Sequence, residues 1–127
     1  MQLHTLTPML NTWDIKKSIA FYTEVLGFEC EKFSEEHGWA SLKRDKVAIM
    51  FARPNEHMGH TAPVLTGSLY IKTDDVDSYW KNVKDKTRVC YPIEDFEYGM
   101  REFAIFDNNS YLLQFGQNIA GSLKHGS

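Results

Sequence analysis

A chain of 127 residues and 14.7 kDa fits one compact domain that can bury a core without disulfide or metal staples. Hydrophobic residues make up 43% and charged residues 24%, the balance of a soluble globular protein. A net charge of −3 argues against sequence-independent nucleic-acid binding, which needs a basic surface, and no apolar run nears the roughly 20 residues of a bilayer crossing.

The start, Met1-Gln2-Leu3-His4, lacks the basic region and long apolar core of a secretory signal. A cytoplasmic, membrane-free protein is therefore expected. Residues 3–12 read as a strand. Asp14 can cap a helix by accepting from free amides of the next turn. Ile15, Ile19, Tyr22 and Leu26 then recur at helical spacing, with Phe21 and Val25 widening the stripe. Gly27 supplies a left-handed stop. The run Phe28 to Phe33 alternates loosely, Ser34 to Gly38 is a polar turn, and Trp39–Leu42 and Val47–Phe51 complete an antiparallel meander.

Residues 53–67 hold Pro54, Gly59 and Pro63 and read as a linker. His57 and His60 within it have no third imidazole or acid at ligand spacing, so they read as solvated side chains. His4, His37 and His125 are terminal or turn residues of the same kind. Order resumes with a strand at Ser68–Lys72. Asp74 or Asp75 can cap a helix carrying Val76, Tyr79, Trp80 and Val83. A strand at Val89–Tyr91, a loop from Pro92 to Gly99 and two alternating strands around Asp107-Asn108-Asn109-Ser110 finish the pattern. Asparagine tolerates the positive φ that a tight hairpin needs. Cys30 and Cys90 lack any Cys-x-x-Cys spacing and read as free thiols, buried or half-buried.

Strand, helix and three strands thus occur twice, with the caps Asp14 and Asp75 about 61 residues apart. The expected fold is α+β, a single domain over residues 1–127 made of two βαβββ modules, about 1–53 and 67–117, joined by a linker at 54–66.

Two stretches carry a family resemblance. One is Pro8-Met9-Leu10-Asn11-Thr12-Trp13-Asp14 with the helix and Gly27-Phe28 behind it. The other is Tyr98-Gly99-Met100-Arg101-Glu102-Phe103-Ala104-Ile105-Phe106-Asp107 with Tyr111-Leu112-Leu113-Gln114-Phe115. Together they resemble the glyoxalase/bleomycin-resistance/extradiol-dioxygenase superfamily, the vicinal oxygen chelate fold, and bleomycin-resistance proteins within it. The resemblance runs from about Leu6 to Gly116. It implies curved mixed sheets and a homodimer with a small-molecule ligand in clefts between subunits. Pro8 lies where those proteins keep a proline associated with arm exchange, Trp39 near an aromatic cleft residue, and Tyr98 where Trp is frequent. The turn Asp107-Asn108-Asn109-Ser110 departs from the common Asp-Pro-x-Gly form.

Metalloenzymes of the superfamily carry His, Gln or Glu ligands on the first and last strand of each module. By that resemblance the positions fall at Thr7, Met50, Ser68 and Gln114. A one-residue slip would offer Pro8, Phe51, Leu69 and Phe115 instead. Neither set suits a hard or borderline divalent ion, which wants thiolate, imidazole or carboxylate. No metal or other cofactor is expected, and without a Lewis acid the superfamily's lyase and ring-cleavage chemistry loses its electrophile.

What remains is a cup. By period two its inward set is Thr7, Met9, Met50, Ser68, Tyr70, Leu112 and Gln114, with Trp39 and Tyr98 at the rim. Of these, Met9, Trp39, Met50, Ser68, Tyr70, Tyr98, Leu112 and Gln114 are the candidate ligand contacts, apolar with a few hydrogen-bonding groups. Methionines also plug core gaps, so a filled core is the competing reading. Arg101 and Glu102 are adjacent on a strand and point to opposite faces, so at most one enters the cup; an ion pair with a neighbouring strand is the expected use. No nucleophile–base pair is visible. The expected function is therefore stoichiometric sequestration of a small, partly aromatic molecule, as by an antibiotic-binding resistance protein. The alternative is a metal-dependent glyoxalase- or dioxygenase-type enzyme of the same superfamily.

Overall fold

The computed structural model describes residues 1–54 and 64–119. The chain divides into two compact units, Met1–Leu65 and Thr66–Ser127. The first contains β1 (Met9–Asn11), α1 (Ile15–Ala20), β2 (Glu29–Ser34), β3 (Trp39–Arg44) and β4 (Val47–Ala52). The second contains β5 (Ser68–Lys72), α2 (Val76–Val83), β6 (Val89–Phe96), β7 (Met100–Phe106) and β8 (Leu112–Asn118). Each holds one four-stranded mixed sheet, in the orders β1-β4-β3-β2 and β5-β8-β7-β6. The first and last strands of each unit pair in parallel and the remaining pairs are antiparallel. The fold is α+β. Among the described residues no helix is long and apolar enough to cross a membrane.

In the first unit Leu10, Ala40, Leu42, Ile49 and Phe51 form the buried face. Asp14 caps α1 by accepting from the Lys17 amide at 3.0 Å. The single helix expected to reach Leu26 is two pieces: α1 gives way to a π-helical turn over Phe21–Val25. Thr23 Oγ1 donates to the Ile19 carbonyl at 2.8 Å, a back-bond that loosens the regular ladder. The wider turn seats Tyr22 against Phe28 and Phe51, with ring centroids 5.6 and 4.9 Å away. Gly27 ends the helix at φ +78°, and Arg44 Nη1 donates to the Leu26 carbonyl at 2.6 Å.

The first strand is shorter than expected. Only Met9–Asn11 are extended in the ladder, which begins where the Met50 amide donates to the Pro8 carbonyl at 2.9 Å. Proline has no N–H to give in return, and residues 1–6 before it are exposed.

In the second unit Asp75 caps α2 by accepting from the Ser78 amide at 3.2 Å. Gln117 Oε1 accepts from the Val76 amide at 2.9 Å. Val76 and Val83 are buried, and Tyr79 and Trp80 pack on Phe103 and Phe115 of the sheet. The segment from Pro92 to Phe96 belongs to β6 and is not a loop. β6 is an edge strand whose register shifts on both sides of Tyr91, and edges and bulges are where a sheet tolerates proline. At the β7–β8 turn Asp107 Oδ1 accepts from the amides of Asn109 and Tyr111 at 2.8 and 2.9 Å. The positive φ falls on Ser110, at 66°, not on an asparagine. Cys30 and Cys90 are free, as expected, but both are exposed, because they lie on the edge strands β2 and β6.

Candidate functional site

Each sheet turns one face to its helix and leaves the other open, because successive strand residues alternate sides. In the first unit the open face carries Met9 beside Met50 on one rung of the β1–β4 ladder. Trp39 lies opposite Ala52, two residues from Met50 and so on the same side. Met9 is exposed, and Met50 and Trp39 are half-buried. Asn11, Ser41 and Lys43 share this face by the same alternation, so it is a mixed surface with Met9, Met50 and Trp39 as its large apolar members. Thr7 precedes β1 and is half-buried outside the ladder.

The open face of the second sheet has different chemistry. Ser68 sits opposite Leu112, Tyr70 opposite Gln114, Ala104 opposite Gln114 on the other side, and Glu102 opposite Gly116. Glu102 is wholly buried. Its Oε1 accepts from the Tyr70 hydroxyl at 2.7 Å, and its Oε2 accepts from the Tyr91 hydroxyl. Tyr98 lies near enough for this carboxyl group to raise its phenol pKa. Gln114 Nε2 donates to Tyr91 Oη at 2.9 Å, and Ser68 Oγ donates to Gln114 Oε1 at 2.6 Å. Among the described residues no cation pairs with Glu102. Arg101, its neighbour, points the other way and bridges Asp77 of α2 and Asp95 of β6, each at 3.0 Å.

An aromatic wall flanks this network. Tyr91 meets Phe96 edge-on at 5.6 Å, and Phe96 stacks with Tyr98 at 5.4 Å and 15°. Tyr98 is 65% exposed and Tyr70 43% exposed. Their rings are therefore available to a ligand, while the Tyr70 hydroxyl is held from beneath by Glu102.

Gly116 makes room for this arrangement. A Cβ there would stand 2.9 Å from Tyr70 Cζ and 3.1 Å from Met100 Cε. Tyr70 thus crosses the β8 backbone to reach Glu102, and only glycine leaves it the path.

Burial and then hydrogen bonding to Glu102 raise the phenol pKa of Tyr70 and Tyr91 beyond the ordinary range. The same two causes, with the charges of Glu102 and Glu94, push Tyr98 from 10.0 up to about 12. A phenol that holds its proton more tightly when folded adds stability that is complete below its unfolded pKa and is lost as the pH rises through the folded value. The urea midpoint is therefore expected to stay level to about pH 9 and to fall from about pH 10 upward as unfolded phenols ionise first. A midpoint unchanged from pH 9 to pH 12 would contradict the network.

Seen residue by residue, Ser68, Tyr70, Tyr98 and Gln114 of the sequence-derived candidates converge on one cluster. Leu112 shares its face beside Ser68, and Met9, Trp39 and Met50 lie on the separate open face of the first sheet. Two members are not among those candidates: Tyr91, and Glu102, which the sequence offers only as one of a pair with Arg101 of which at most one enters the cup. The signal for Glu102 was available: it stands in period two with Met100 and Ala104, on the side away from Arg101. Tyr91 could not be aligned because the register of β6 shifts around it. His57, His60, His125 and most of the expected linker lie outside the described residues.

The donors do not suit a divalent cation. Among the described residues no three His, Cys, Asp or Glu side chains come together. The single amide oxygen of Gln114 is taken by Ser68, and both carboxylate oxygens of Glu102 are taken by phenols. An exclusively oxygen set of hydroxyls and one amide would bind such an ion weakly.

Comparison with known proteins places this geometry in context. A model of the glyoxalase/bleomycin resistance protein/dioxygenase superfamily matches residues 2–115. A bleomycin resistance protein of Geobacillus stearothermophilus is 29% identical over 128 aligned positions, covering 88% of this chain and 95% of the relative. Among solved structures, a bleomycin-binding protein complexed with bleomycin is 26% identical with a TM-score of 0.71, covering 91% of this chain and 99% of that one. A bleomycin resistance determinant encoded on the transposon Tn5 is 25% identical with a TM-score of 0.72, covering 91% and 98%.

Proposed function

Because the chain belongs to the glyoxalase/bleomycin resistance protein/dioxygenase superfamily, we propose that it binds and sequesters a small, partly aromatic molecule of the bleomycin type, without a metal. The observation that carries this reading is similarity over nearly the whole chain to a protein solved with bleomycin bound. The open sheet faces fit the role: one offers Met9, Trp39 and Met50, the other aromatic rings with fixed hydroxyls, the usual make-up of a small-molecule site. The donor set gives no Lewis acid, so binding alone accounts for the arrangement.

We place the ligand in a cleft between two copies of the chain. Leu3, Leu6, Met9, Tyr70 and Tyr98 are all exposed, and they are the apolar side chains that a second copy would cover. Calorimetric titration with bleomycin is the test, with sedimentation of free and loaded protein in parallel. Expected is saturable binding at one drug per chain, a Kd of about 1 μM or tighter, and a dimer. That Kd corresponds to about 8 kcal/mol. No saturation up to about 1 mM, or a monomer that binds as well, would end the respective half of the proposal.

A further inference from the structure

We propose that the Glu102 network makes the mouth of the second unit a hydrogen-bond-accepting subsite, selective for a donor head group such as an amidine, guanidine or protonated amine carried on a flat ring. The proposal rests on the small-molecule reading above and narrows its ligand.

The polarity follows link by link. A carboxylate accepts and cannot donate, so Tyr70 and Tyr91 both spend their hydroxyl protons on Glu102. With its proton spent, Tyr91 Oη can only accept from Gln114. That sets the orientation of the Gln114 amide, whose NH₂ faces Tyr91 and whose oxygen faces Ser68. Ser68 must then spend its own proton on Gln114. Each donor is consumed on the way in, and lone pairs are what the network presents outward, at Ser68 Oγ and Tyr70 Oη. The donors left over are the second N–H of Gln114, on a half-buried side chain, and the hydroxyl of the exposed Tyr98.

Charge reinforces the pattern. Hydroxyls that donate to a buried anion become better acceptors in turn. Glu94 stands opposite Glu102 across the β6–β7 ladder, so a second carboxylate lies close by. The nearest cation in sequence, Arg101, is tied to Asp77 and Asp95 on the other face. A ligand acid brought here would meet lone pairs and negative charge with few donors to hold it. A ligand N–H would meet acceptors on the sheet face that also carries the stacked rings of Phe96 and Tyr98, where a flat ring can lie.

Three matched probes test this: benzamidine, benzamide and benzoate, which present a donor-only, a mixed and an acceptor-only head on one ring. Binding to the full chain is measured by ligand-observed NMR and calorimetry. Expected is the order benzamidine, benzamide, benzoate, with at least a tenfold gap between the first and last. In Glu102→Gln the new amide can donate outward, the chain of donors can reverse, and the gap shrinks to about twofold. Should that variant fold poorly, Tyr70→Phe and Ser68→Ala each remove one outward acceptor from an exposed position and should weaken benzamidine about tenfold and threefold. Benzoate binding as well as benzamidine, no detectable benzamidine binding, or a preference unmoved in all folded variants would overturn the proposal. Bleomycin binding without the probe preference would sink this subsite and leave sequestration standing. Probe preference without bleomycin binding would do the reverse.

Discussion

Phe103→Ala is expected to destabilise the protein by about 3–5 kcal/mol, the range for emptying a fully buried aromatic site. Phe103 lies on β7 with no exposed surface. Its ring stacks on Phe115 at 5.3 Å and 23°, and meets Trp80 at 5.1 Å and Tyr79 at 6.4 Å. It therefore joins the sheet to the only α-helix of its unit among the described residues. A loss of that size is a large share of the roughly 5–15 kcal/mol that holds a domain folded. Urea unfolding followed by fluorescence should show it, because Trp80 is the one tryptophan of the second unit and touches the mutated ring. Trp13 and Trp39 belong to the first unit and report on it separately. A shift worth less than about 1 kcal/mol would mean that α2 is held to the sheet by other contacts.

The second large effect is expected from a single methyl group. Gly116→Ala places a Cβ in the path of Tyr70 and against Met100. Because Tyr70 is part-exposed, its ring can swing outward and relieve the clash. Doing so breaks its bond to Glu102. Hydrogen bonds to charged groups contribute about 1.5–3 kcal/mol, and the variant should lose about that much. Spectrophotometric titration should show one phenol returning toward an ordinary pKa. Benzamidine binding should fall with it if the outward acceptors are the recognition element. A double-mutant cycle with Tyr70→Phe separates these effects from a general disturbance of β8. If Gly116→Ala costs as much in the Tyr70→Phe background as in the native chain, the clash with Tyr70 is not its cause.

Local signals in the chain were read well where they act over a few residues. Asp14 and Asp75 do cap helices through their side chains, and Gly27 does take the left-handed conformation. The separation of Arg101 from Glu102 followed from strand geometry alone, and the ion pair of Arg101 with Asp95 on the next strand is the kind expected. Features set by tertiary context were harder to see. The π-helical turn exists to seat Tyr22 between Phe28 and Phe51, which lie elsewhere in the chain. Pro92 looked like a loop signal because nothing local shows that β6 is an edge strand with a shifting register. Strand geometry lets Glu102 enter the cup but does not show what it meets there. Its partners Tyr70 and Tyr91 lie on two other strands, and only the assembled sheet brings two phenols onto one carboxylate.

The strand order also bears on how each unit comes into being at the ribosome. Within each sheet the last strand to be synthesised, β4 or β8, is inserted between the first strand and the meander. Ser68 waits for Leu112, its partner across the parallel ladder, which follows only after α2, β6 and β7. Parallel pairing over such a separation carries a larger loop-closure cost than a hairpin does. The first unit can complete its sheet once β4 has emerged, whereas the inner edge of β5 has no partner in its own unit until β8 has emerged. A message cut short before β8 would leave a finished first half attached to an open β-edge, the kind of surface on which unwanted strand pairing begins.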